Sequence, residues 1–193
     1  MQELANTAWV FATANQSGAQ LFAALARTAE RRLGDFNVQD LANTAWAFAT
    51  ANLSDSQLFA ALARTAKWRL SDFKEQGLAN TAWAFATVNQ SDAQLFAALA
   101  RTAEWRMGDF SVQHLANTAW AFATANQPDA QLFEALARVA EQGLSDFNMQ
   151  ALANTTWAFA TAGQSDAQLF AALARAAKRC VSDFNMQKLA NTA

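Results

Sequence analysis

The sequence has almost none of the residues that interrupt helices or cross-link a chain. Its 193 residues include one proline and six glycines, so little in it breaks a helix. Tyrosine is missing, and Cys180 and His114 are the only residues of their kinds. A single cysteine forms no internal disulfide, and one Cys with one His cannot build a structural zinc site. No apolar run approaches the roughly 18 residues that a membrane span needs. The start, Met1-Gln2-Glu3-Leu4, has neither a basic n-region nor an amphipathic Arg/Ser-rich leader. Neither sign of charge dominates. The formal net charge is −2 and the pI about 5.3, so the basic excess usual in nucleic-acid binders is missing.

What is present is alanine, with leucine, glutamine, arginine and glutamate in support, all strong helix formers. The phrase Leu-Ala-Asn-Thr begins at Leu4, Leu41, Leu78, Leu115, Leu152 and Leu189, a step of 37 residues each time. A fixed period of this size marks a solenoid, in which each unit buries its apolar face against its neighbours. The full periods are 4–40, 41–77, 78–114, 115–151 and 152–188. They predict a single all-α domain over 1–193: a right-handed α-solenoid of about five helix–turn–helix pairs. Met1 sits at the repeat position of Met149 and Met186, and Ala193 falls inside another first helix. That phase, with no polar capping repeat at either end, implies a slice of a longer array.

Within the second period, Asn37 is the expected N-cap of a first helix over about 38–51, with Phe36 stapled on Leu41. Leu41, Ala45, Phe48 and Ala49 form its apolar stripe, widened by Ala42 and Trp46. Gln39, Asp40, Asn43, Ala47 and Thr50 take the opposite side. Ser54 and Gln57 read as a capping box opening a second helix over about 55–70, recurring as Ser17/Gln20, Ser91/Gln94 and Ser165/Gln168. Pro128 replaces that serine in the fourth copy, which predicts a weaker cap there. Leu58, Phe59, Leu62, Ala66 and Leu70 form the core stripe of the second helix. Alanine at so many facing positions lets helices approach to the short end of the usual ~8–10 Å separation.

The text Leu-Ala-Asn-Thr-Ala-Trp-Ala-Phe-Ala at Leu41–Ala49 and Leu78–Ala86 resembles the repeats of RAP-domain proteins. These include heptatricopeptide and octotricopeptide repeat proteins and the FAST kinase-like proteins. The resemblance covers the whole chain. It implies binding of single-stranded RNA and a scaffold role in RNA processing, stability or translation in a mitochondrion or chloroplast. A RAP domain and the Pro-Pro-Pro-Glu-Trp signature of many octotricopeptide repeats are not seen in this sequence. No nucleophile–base arrangement surrounds Cys180 or His114, so the chain is expected to be no enzyme, with no cofactor and no small-molecule substrate.

Three sets of residues are candidates for the RNA contact. Asn6, Asn43, Asn80, Asn117, Asn154 and Asn191 form one ladder, and a carboxamide can read a base edge. The alternative is that they bridge neighbouring repeats. An unvarying Asn reads one base only, so discrimination is expected from the variable position three residues earlier: Glu3, Asp40, Gly77, His114, Ala151 and Lys188. That position also reads as a tolerant surface site. Arg27, Arg64, Arg101, Arg138 and Arg175 form a second ladder, able to hold phosphates or simply to complement the helix dipole. Trp9, Trp46, Trp83, Trp120 and Trp157 read mainly as core packing, whereas Trp68 and Trp105 lie off the stripe and are better placed to stack on bases. A rival reading is a protein-binding scaffold whose Asn and Trp rows grip an extended peptide. A third is a degenerate fragment without activity of its own.

Overall fold

The computed structural model describes residues 2–16, 18–164 and 166–190, with side chains described as far as Val181. Among the described residues, ten α-helices alternate between two layers. The first helices of the repeats are α1 (Gln2–Thr13), α3 (Val38–Thr50), α5 (Glu75–Thr87), α7 (Val112–Thr124) and α9 (Met149–Thr161). The second helices are α2 (Ala19–Arg32), α4 (Ser56–Lys67), α6 (Ala93–Trp105), α8 (Ala130–Gln142) and α10 (Ala167–Ala190). The all-α solenoid expected from the period is the fold.

Alanine sets how the first helices meet. Ala42, Ala45 and Ala49 are buried in α3, as are their counterparts in α1, α5 and α7. In α9, which has no described first helix beyond it, Ala153 and Ala160 are exposed. This row therefore faces the following repeat. The row Thr44 and Ala47 behaves in the opposite sense. It is buried in α3, α5, α7 and α9, while in α1 its counterpart Val10 is exposed. That row faces the preceding repeat. Small side chains on both sides let neighbouring first helices run close along their length, whereas neighbouring second helices touch sparsely. Unequal spacing in the two layers bends the array toward the first helices. The hydroxyls of Thr44, Thr81, Thr118 and Thr155 are buried in this seam without a hydrogen-bond partner, each a burden of about 1–3 kcal/mol that a methyl group would not carry.

Aromatic rings tie one repeat to the next. A second-helix Phe meets the first-helix Phe of the following copy edge-to-face: Phe22 with Phe48, Phe59 with Phe85, Phe96 with Phe122 and Phe133 with Phe159. The centroids lie 5.0–5.1 Å apart at 77–78° or 79°. Phe36, Phe73, Phe110 and Phe147 are buried in the turns between repeats.

The helix ends correct several expectations. Asn37 does cap α3, accepting from the Asp40 amide, and Asp40 answers by accepting from the Asn37 amide. The second helices, however, are not capped by serine. Asp55, Asp92, Asp129 and Asp166 accept the first free amides instead. The S-x-x-Q box does not form at Ser54 or Ser91; Ser17 and Ser165 lie outside the described residues. Pro128 accordingly weakens nothing, because Asp129 caps α8 as its counterparts cap theirs. The second helix of the reference copy also stops at Lys67, and a separate 3₁₀ turn follows over Leu70–Asp72. The fifth copy differs, for α10 continues to Ala190. Propagating a helix is easier than breaking it where packing does not repay the turn.

Each first helix ends in a left-handed residue: Asn15, Asn52, Asn89, Asn126 and Gly163, with φ between 52° and 67°. In α3 the Asn52 amide donates to the Ala49 carbonyl and the Leu53 amide to Phe48, the paired bonds of a Schellman cap. Asn and Gly are the residues that occupy this region at least cost.

The alanine seam predicts a sharp size limit. Ala84→Leu, at a fully buried position facing α3, is expected to lose about 1–3 kcal/mol. Val10→Leu, at the exposed equivalent, should stay within about 0.5 kcal/mol. Urea unfolding of the two variants beside the parent chain measures both, and equal losses would contradict the packing described.

Candidate nucleic-acid interface

The outward face of each first helix repeats one set of side chains. Gln39, Asn43, Trp46 and Thr50 follow the i, i+4, i+7, i+11 spacing of a single helical stripe, and all are at least partly exposed. Stacked over five repeats they make four parallel rows. The asparagine row is Asn6, Asn43, Asn80, Asn117 and Asn154; Asn191 lies outside the described residues. Beside it runs a glutamine row, Gln2, Gln39, Gln76, Gln113 and Gln150, exposed throughout. The bridging alternative for the asparagines is not what the structure shows: among the described residues none of their carboxamides has a hydrogen-bond partner in the protein. Their donors and acceptors are available to a ligand.

The same rows line clefts between consecutive first helices. One, of about 320 Å³, lies between the second and third repeats and presents Gln39, Asn43, Gln76 and Asn80. Another, of about 550 Å³, lies between the fourth and fifth and presents Gln113, Asn117, Gln150 and Asn154. The glutamine row was legible as an unvarying residue four positions before each asparagine.

The indoles form a continuous ladder. Trp9, Trp46, Trp83, Trp120 and Trp157 follow one another with centroids 6.2–6.4 Å apart and planes tilted by 31–34°. Slotting a base between two rings needs roughly 6.8 Å between parallel faces, twice the rise of a stacked strand. The ladder has no such slot. It offers a ridge of ring edges beside the carboxamides, and Trp9 and Trp157, at 45% and 46% exposure, offer more of their surface.

The variable position lies at the seam between repeats, not on this stripe. Asp40 is buried and engaged in its capping box, and Ala47, also expected on the polar side, is buried too. First helices have neighbours on two sides, and a face opposite the stripe is therefore still a packed face. Ala151 is buried, Gly77 packs near the Phe73 ring, and Glu3 is exposed. The side chain of Lys188 lies outside the described residues. Gly77 and Ala151 do line the two clefts, so this position shapes them even where it reaches no solvent.

The arginine row occupies the opposite layer. Arg27, Arg64, Arg101, Arg138 and Arg175 are all exposed, on second-helix stripes such as Gln57, Ala60, Arg64 and Trp68. Trp68 and Trp105 end two of those stripes and are 87% exposed. The Asn and Arg ladders thus point away from each other, and one short strand cannot lie along both. The first-helix stripe itself carries no charged residue; Lys74, exposed at a helix start, borders the smaller cleft.

His114 is half-buried and lies edge-on to Phe110, with centroids 6.2 Å apart, and its Nδ1 is buried without a partner. Burial pushes its pKa below the usual imidazole range, while Glu75 pulls it upward. The unfolded chain then takes up this proton before the folded one, so the histidine removes stability as pH falls below about 6.5. His114→Ala, which copies the Ala151 of the next repeat, should lose less stability than the parent chain between about pH 7.5 and about pH 5.5. Urea midpoints at the two pH values test this; equal losses would contradict it.

Among the described residues no group of acidic, His or Cys side chains could hold a metal ion, and no helix is long and apolar enough to cross a membrane. A search of curated proteins finds no match. A family model described as RNA-editing substrate-binding complex 6 protein matches residues 11–193, all but the first ten positions of the chain. The stacked helical repeats, with their unvarying carboxamide and indole rows, are therefore those of a member of the RNA-editing substrate-binding complex 6 protein family.

Proposed function

We propose that the chain is a non-catalytic scaffold that holds single-stranded RNA along its first-helix face within an RNA-editing assembly. The observation that carries the proposal is the double row of Gln and Asn carboxamides left without protein partners on that face. A carboxamide offers both donors and an acceptor, the pattern needed to engage base edges. Repeat proteins with one helical unit per base use such side chains. The family's printed description, a substrate-binding complex of RNA editing, supports the RNA partner, and an organellar setting, mitochondrion or chloroplast, belongs to the same proposal. Kinship with the RAP-domain and FAST kinase-like repeat proteins belongs to the same proposal. In this reading the cleft between the second and third repeats receives a base, and Gly77 tunes its depth.

A second reading has its own observation. The stripe lacks charged residues, so it suits the backbone amides of an extended peptide as well as an RNA base.

Salt dependence separates the two faces. Each phosphate neutralised on a single strand adds about −0.7 to the slope of log K against log[salt]. Binding on the first-helix face, with Lys74 nearby, should give a slope no steeper than about −1. Binding along the five arginines would give about −3.5. Titration of randomised single-stranded RNA at several salt concentrations reads this. Asn80→Ala with Asn117→Ala is expected to weaken binding by about 1–3 kcal/mol per contact. Arg64→Ala with Arg101→Ala should leave it nearly unchanged. The reverse pattern would remove the first-helix face as the RNA site, and no binding by any variant or the parent would leave the peptide reading in its place.

A further inference from the structure

One repeat position changes what the junction can do. Arg32, Arg69, Arg106, Gly143 and Cys180 are equivalent residues of successive copies. Arg69 donates through Nη1 to the carbonyl oxygen of Phe36, and Arg106 donates likewise to that of Phe73. Each reaches across the junction behind it. The same guanidinium pairs with the aspartate three residues on. Arg69 Nε lies 3.6 Å from Asp72, Arg106 Nε 3.6 Å from Asp109, and Arg32 Nη2 2.9 Å from Asp35. In the fifth copy the Cys180 thiol donates to the Phe147 carbonyl at 3.6 Å. Among the described residues only the fourth copy lacks a donor. Among the described residues the carbonyl of Phe110 accepts no hydrogen bond, and Asp146 has no cation, only the Ser145 hydroxyl at 3.2 Å.

The glycine is not there for its backbone. Gly143 has φ −102° and ψ 15°, and Arg106 has φ −106° and ψ 13°. A Cβ on Gly143 would meet Val139 O at 3.6 Å and Val112 Cγ2 at 3.7 Å, ordinary contacts. The position could hold an arginine as the others do. What glycine does is remove the side chain, and the cleft lined by Phe110, Val112, Val139, Gly143 and Asp146 measures about 550 Å³, against about 320 Å³ at the Arg69 junction. Val139 also replaces the threonine of the equivalent sites Thr65 and Thr102, giving this cleft a more apolar wall.

We propose that this cleft receives the arginine side chain of a partner protein. The chain supplies the template, for its own Arg69 and Arg106 show what the carbonyl, the carboxylate and the space between them accept. The incoming guanidinium donates to the Phe110 carbonyl and pairs with Asp146, while its methylene stem lies on Val112 and Val139. Lysine fits less well, because a point ammonium does not match two acceptors set at the angle of a planar fork. The proposal is independent of the RNA reading, since the second-repeat cleft has the same carboxamides with its guanidinium already in place.

The test uses the whole 193-residue chain, labelled for amide NMR, and three blocked tripeptides with a central arginine, lysine or citrulline between alanines. The arginine peptide should shift the Gly143 and Asp146 amides saturably. Lysine and citrulline peptides should bind at least about tenfold more weakly. Gly143→Arg, which supplies the missing side chain in cis, should abolish the response while keeping the parent spectrum elsewhere. Arg106→Gly should open a second site, read at Asp109. An absent response to arginine, an equal response to lysine, or persistence in Gly143→Arg would overturn the proposal. So would shifts at these amides from guanosine-containing RNA with none from the arginine peptide, an outcome that makes the cleft a nucleobase site.

Discussion

The approach of one first helix to the next, set by alanine, determines most of this molecule. Ala42, Ala45 and Ala49 on one side of the seam and Ala84 with Thr81 on the other leave no bulk to hold the helices apart. The first-helix layer is therefore dense and the second-helix layer open. The bend of the array and the overlap of its indoles both follow. Repetition of the same few contacts makes stability a sum over junctions. The threonine hydroxyls buried in the seam have no hydrogen-bond partner there.

That dense layer is also what makes the outward stripe regular. Trp46, Trp83 and Trp120 sit in mutual contact because their helices do. Held in this way the rings leave no slot between them for a base. The neighbouring rows carry carboxamides whose hydrogen-bonding groups the fold leaves unused, and we propose that recognition falls to them. The second-helix layer is different in kind, with exposed arginines and the isolated Trp68 and Trp105. The molecule is two-faced: one side carries an evenly spaced stripe without charge, the other exposed arginines in uneven company.

Much of the fold was legible from the 37-residue period, because a repeated apolar stripe has one economical way to be buried. The Asn37 cap was legible too, since its partner Asp40 lies three residues on. The aspartate caps were not, because Ser54 and Asp55 both suit a helix start and only geometry chooses between them. Asn52 carries a sequence signal of its own, as an asparagine just past a helix end favours the left-handed cap. The larger gap concerned the site. A helical wheel has one apolar stripe and one polar side, but a first helix here has three packed faces, so Asp40 and Ala47 are buried opposite the stripe. The separation of the Asn and Arg ladders onto opposite layers depends on tertiary packing, and neither ladder betrays it alone. The exception at Gly143 has no meaning in sequence until Arg69 and Arg106 show what their counterpart would have held.

We propose that ligand recognition belongs to the first-helix face, whose Gln, Asn, Trp and Thr stripe carries no charge. The most direct measurement is ultraviolet cross-linking of the chain to single-stranded RNA, with the linked residues mapped by mass spectrometry. Tryptophan reports on both faces and is photoreactive on each. Cross-links at Trp9, Trp46, Trp83, Trp120 or Trp157 and their neighbouring first-helix residues are the predicted result. Cross-links confined to Trp68, Trp105 and the arginine stripes of the second helices would contradict it.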